Sequence, residues 1–161
     1  MTVLAEMEEA SQSPAVLAIE SANGSGTLTT HIHVARPGAE ASVSTLLGAG
    51  QRPPSWVQRL ILEDIPARDE YGLLGLDALV RFARACLALP ERTPKPYYGV
   101  GDDATIGVEW DLGRYHLELQ VGNNSAVDTI VLEVDGGEVS ELPLAGNIYV
   151  LAWIMAMIIS R

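Results

Sequence analysis

Two periodicities run along this chain. Alternation of apolar and polar residues, the mark of a half-buried strand, appears in "TLTTHIHV" at 27–34, "TIGVEWDLGRYHLELQV" at 105–121 and "VDTIVLEV" at 127–134. Apolar residues at three- and four-residue spacing, the mark of a helix with one buried stripe, appear in "WVQRLILEDI" and "GLDALVRFARACLALP".

The N-terminal part predicts a β-hairpin, "PAVLAIE" and "TLTTHIHV" flanking the small, polar "SANGSG". Its second strand places Leu28, Ile32 and Val34 on one face and Thr27, Thr29, His31 and His33 on the other. "RPGAEASVSTLLGAG" reads as a short helix between Pro37 and Gly48. After "QRPP", Ser55 stands where an N-cap would open a helix with Trp56, Val57, Leu60 and Ile61 on one side, ended by Pro66. The longer helix that follows would bury Leu76, Val80, Ala83 and Leu87 opposite Asp77, Arg81 and Arg84, until Pro90, Pro94 and Pro96 lead into sheet.

A reversal at 111–114 sets Trp110 opposite Tyr115, Val108 opposite Leu117 and Ile106 opposite Leu119 on the core side. It also pairs Glu109 with His116 and Asp111 with Arg114 on the other. A third strand carries Ile130, Leu132 and Val134 inward, and "DGG" turns the chain toward "EVSELPL", for a sheet of three or four strands.

The chain closes on twelve consecutive apolar residues, "IYVLAWIMAMII". As a helix this segment spans about 20 Å, short of the roughly 30 Å of a bilayer core. It has no basic polar face for lying on lipid. An all-round apolar helix needs cover all round. The sheet would cover one side, and the N-terminal region or a second protein the other, with Trp153, Met155 and Met157 as interface anchors.

These elements give an α+β fold, an antiparallel β-meander with an N-terminal hairpin and helices packed on one face, the apolar C-terminal helix central. Residues 1–161 read as a single domain, 1–55 a hairpin or arm and 56–161 a helix-helix-meander-helix core.

Composition narrows the function. The 21 acidic against 10 basic side chains, net −11, repel a phosphate backbone and leave no nucleic-acid partner in view. One cysteine, Cys86, excludes an internal disulfide and reads as core packing in a reducing, cytoplasmic setting. The start, "MTVLAEMEEASQS", lacks the basic residues and apolar run of an export signal, so the sequons at Asn23 and Asn123 carry no meaning.

No catalytic constellation emerges, and no cofactor is implied. His31 and His33, with His116, are the candidate metal ligands, and a metal-dependent hydrolase is the enzymatic alternative. "GVGDDA" fits a phosphate-loop pattern but opens a strand and brings two carboxylates, which excludes a phosphate cradle.

The segments "RDEYGLL" and "DDATIGVEW" resemble a loosely defined group of small uncharacterised prokaryotic accessory or antitoxin-like proteins. These carry a Trp-Asp-x-Tyr-Gly-Ala segment, a helix, and a Pro-led hairpin reading Asp-Gly-Gly-Ile-x-Leu-Glu-Trp. Asp69, Tyr71 and Gly72 match the first motif, with Arg68 and Leu73 in place of Trp and Ala. Asp103, Ile106, Glu109 and Trp110 match the second, with Val108 for Leu and Ala104 and Thr105 for the glycines. The likeness covers 60–122 and implies the antitoxin or accessory half of a two-gene unit. The leading expectation is thus a non-catalytic protein-binding module, antitoxin-like or inhibitor-like, that presents an acidic surface to a basic partner. A homo-oligomeric structural accessory assembled through the last helix is the other alternative.

Overall fold

The computed structural model describes residues 52–161 in full, and before them the backbone of 19–24, 27–36 and 39–47. The latter are three antiparallel strands, β1 (Ile19–Gly24), β2 (Thr27–Arg36) and β3 (Ala39–Leu47), in the order β1-β2-β3. β1 takes in residues 21–24, which the sequence reading gave to the turn; Gly24 pairs with Thr27 across two residues. β3 replaces the helix predicted after Pro37. Its small and β-branched residues, Val43 and Thr45 among them, suit a strand paired to β2 better than a helix rich in Ser.

Next come α1 (Val57–Arg59), a π-helical stretch over Leu60–Asp64 and α2 (Ile65–Arg68), one continuous run. Pro66 does not end it. The amide of Ile65 reaches back five residues to the Leu60 carbonyl, and this widened turn makes room for the Pro66 ring at the start of α2, where its missing N–H costs nothing. Nor does Ser55 cap the start: Trp56 is the N-cap residue, with no side-chain hydrogen bond. The run buries Val57, Leu60, Ile61 and Ile65.

Helix α3 (Leu76–Leu87) follows, then β4 (Tyr97–Val100), β5 (Ile106–Leu112), β6 (Tyr115–Val121), β7 (Thr129–Val134), β8 (Glu138–Pro143) and α4 (Ile148–Ile159). The last five strands form one antiparallel meander in sequence order, one or two strands wider than expected. The architecture is therefore mixed α+β. The sheet's inner face, Ile106, Val108, Trp110, Leu117, Leu119, Val121 and Ile130, shares one buried cluster with the helices. Trp56 and Trp110 meet at 6.4 Å between ring centroids, and their indole N–H groups donate to the Thr93 and Pro94 carbonyls at 2.7 and 2.8 Å. The proline-rich approach to β4 is thereby pinned to the core.

The β5–β6 hairpin keeps the predicted faces but slides by two residues. Leu112 pairs with Tyr115, Asp111 with His116, Trp110 with Leu117 and Glu109 with Glu118. The position of the two-residue turn decides this: it falls on Gly113 and Arg114 instead of Leu112 and Gly113, with Gly113 at φ +70 in its first central position, a conformation a glycine takes without strain. Arg114, freed from Asp111, pairs with Asp135 in the β7–β8 turn at 2.5 Å.

Helix α3 buries more than the predicted stripe. Ala78, Leu79, Phe82, Ala83, Ala85, Cys86 and Leu87 are all buried, while Leu76 and Val80 stay partly exposed. The helix packs against α4 on one flank, with the backbones of β2 and β3 running alongside it. A helix covered on several sides buries an arc, not a line. Arg81, expected in solvent, instead donates from Nε to buried Asp128 at 2.6 Å and from its terminal nitrogen to the Gly122 carbonyl. Asp128 also accepts from the Gly122 amide at 3.0 Å, tying the β6–β7 connection to α3.

Candidate functional site

Two exposed surfaces stand out, one on each side of the described body. The first is the outer face of the meander. Strand alternation sends Glu109 and Asp111 (β5), His116 and Glu118 (β6), Glu133 (β7) and Glu141 (β8) to that side, opposite the core-facing Val108, Trp110, Leu117 and Leu119. Glu109 and Glu118 stand directly across from each other, a like-charge pair that costs stability. Among the described residues no Lys or Arg reaches any of these five carboxylates, and several of the cations are engaged elsewhere. Arg59 and Lys95 pair with Asp64, Arg81 with Asp128, Arg114 with Asp135, and Arg68 lies over the Tyr98 ring.

Among the described residues His116 is the one group on this face that can carry positive charge. Its Nδ1 lies 2.7 Å from Asp111 Oδ1, and its Nε2 is 3.8 Å from Glu109 Oε2. The hydrogen bond to Asp111, with the charges of Asp111, Glu109 and Glu118, holds its pKa above the usual imidazole value against the opposing effect of burial.

Beside these carboxylates the face is hollowed. Gly99 on β4 pairs with Gly107 on β5, and neither position has an atom within 4 Å of where a side chain would begin. The result is an open trough of about 540 Å³, floored by the two glycines and walled by Tyr97, Glu109, Glu118 and Gln120. Gln120 donates to Glu118 at 2.6 Å and holds that carboxylate over the trough. A cation with an apolar or planar body fits such a lining: carboxylates for the charge and Tyr97, itself exposed, for the face of the group.

The second surface is on α4. The helix is not covered all round. Leu151, Ile154 and Met155 are buried, but Tyr149, Trp153 and Met157 are 66%, 61% and 39% exposed, at successive four-residue steps. Of the three residues predicted as anchors, Trp153 and Met157 do face outward. Met155 does not: two residues from each of them, it is turned about 200° around the helix and is wholly buried in the core. Tyr149, one turn before Trp153, takes the third place, and the four-residue spacing from Trp153 was the signal for it.

Of the histidine candidates, His116 is described in full and His31 and His33 by their backbone alone. His31 and His33 lie on β2, His31 opposite Glu20 and Ser44, His33 opposite Ser42. Their side chains lie outside the described residues. Among the described residues no group of three His, Cys, Asp or Glu is placed to hold a metal ion.

The paired motifs at 69–72 and 103–110 mostly hold the fold. Asp69 accepts the amides of Leu73 at 2.8 Å and Leu74 at 3.1 Å, and Gly72 adopts φ +62 within the turn so formed. Asp103 accepts the Thr105 amide at 3.2 Å, Trp110 is core, and Tyr71 and Glu109 are the outward members. Cys86 is buried, and burial pushes its thiol far up, away from thiolate chemistry.

No helix among the described residues is long and apolar enough to cross a membrane. Comparison with protein-family models, with curated proteins and with solved structures returned no match to this chain.

Proposed function

We propose that this chain is a non-catalytic, cytoplasmic protein-binding module of antitoxin-like or inhibitor-like type, which receives a basic partner protein on the outer face of its meander. The observation that carries this reading is the carboxylate face, which no Lys or Arg among the described residues reaches, with its glycine-floored trough. A sequence selected for stability alone would not set Glu109 against Glu118 with no Lys or Arg among the described residues paired to either. The trough accepts one Lys or Arg side chain of the partner, and the surrounding acids steer its approach. The likeness of 60–122 to small accessory proteins supports the same class.

The test is a titration with an arginine-rich peptide, followed by backbone amide NMR. Perturbations are expected at Gly99, Gly107, Glu109 and Glu118, weakening steeply with added salt and vanishing in the double variant Glu109→Lys, Glu118→Lys. Perturbations that spread elsewhere, or that persist in the double variant, would remove this reading.

A further inference from the structure

The α4 stripe lies on the opposite side of the body from the acidic face, since Leu151, Ile154 and Met155 pack into the core on the sheet's inner side. We propose that it is a self-association surface, on which a second copy of this chain lays its own α4 antiparallel about a two-fold axis at Trp153.

Three features of the stripe select that occupant. First, it is uncharged: no ionisable carboxylate, Lys or Arg occurs between Ile148 and Ile159, in a chain of net charge −11. Two copies repel one another over acidic surfaces but not here, and a basic partner finds no carboxylate on this helix to pair with. Second, the stripe is symmetric about its centre. Tyr149 and Met157 stand four residues to either side of Trp153, so a two-fold axis at Trp153 brings each Tyr149 to the partner's Met157, an aromatic–sulfur contact. Third, it is stepped. Ala152 and Ala156 lie between the large side chains and are half-buried, leaving shallow holes for the partner's Trp153 ring.

The area sets the strength. Three large side chains, about two-fifths to two-thirds exposed, offer roughly 300–400 Å² per copy. That is below the usual total for a tight complex, so the dimer is a weak one that forms as concentration rises. It leaves both acidic faces turned outward and does not depend on their having a partner.

Sedimentation of the full chain from 1 to 500 µM, at low and high NaCl, tests this. The mass should rise from one chain toward two, and salt should preserve the dimer, because no ion pair holds it and screening lowers the repulsion between copies. Trp153→Glu should raise the half-association concentration at least tenfold with the far-UV circular dichroism unchanged, and Tyr149→Glu serves as the second variant should the first lose its fold. A mass of one chain at every concentration, a dimer indifferent to both variants, or one dissolved by salt would overturn the proposal. So would loss of the monomer to phosphatidylcholine vesicles, which would make lipid the occupant.

Discussion

Two side chains concentrate the electrostatics of the described body. Asp128 is 2% exposed and accepts both Arg81 and the Gly122 amide. Its replacement by Asn leaves a largely buried guanidinium without its counter-charge, and breaking such a pair is costly where replacing both members is not. Asp128→Asn should lower the unfolding free energy by about 2–4 kcal/mol in urea denaturation, and a loss below about 1 kcal/mol would show the pair to be dispensable. His116 is the second. Its folded pKa is raised, first by the hydrogen bond to Asp111, so its protonated form is favoured by folding. The stability it contributes is fully present below the unfolded value of about 6.5 and is lost as pH rises through the higher folded value. Titrating the ring by NMR should place its midpoint above that of a free imidazole, and Asp111→Asn should bring it down and flatten the pH dependence of unfolding above 6.5. An unmoved midpoint would assign the shift to the other carboxylates.

At the level of elements, the β5–β6 hairpin ties stability to the charge of its outer face. Its inner face is fixed by Trp110, Val108, Leu117 and Leu119, and the two-residue turn at Gly113 then sets Glu109 against Glu118. A slide by two residues costs no core contact, because alternate positions keep their side of the sheet; it changes only who faces whom on the outside. Glu118→Gln removes one of two like charges while keeping the side chain's shape. It should therefore stabilise the fold by about 0.2–1 kcal/mol, read as a higher urea midpoint at constant slope, while weakening the arginine-rich peptide. A destabilised variant would mean that the Glu118 carboxylate, through Gln120, holds the strand pair together. Helix α4 shows the complementary case. Every position from Ile148 to Ile159 is apolar, so periodicity carries no information about which face is buried, and only its packing against the core separates Met155 from Trp153.

For the whole molecule, the two surfaces divide the labour by chemistry. One side carries carboxylates that no Lys or Arg among the described residues reaches, beside a glycine-floored trough; the other carries an uncharged aromatic stripe. A dimer through α4 would present two acidic faces at a fixed spacing, and a partner with two basic sites would gain from engaging both. Salt discriminates between the contacts, weakening the first and sparing the second.

The sequence by itself determined the α+β class, the meander, the inward faces of β5 to β7 and the acidity of the surface, because alternation and charge are local properties legible residue by residue. Tertiary structure decided the rest. β3 became a strand through its neighbour β2, Pro66 was absorbed through a widened turn, and Arg81 was drawn from solvent by Asp128, 47 residues away. The trough depends on Gly99 meeting Gly107, and the stripe on which side of α4 the core happened to leave bare. Each of these is a relation between residues distant in sequence, and no local pattern records the energy that such contacts return when the chain closes on itself.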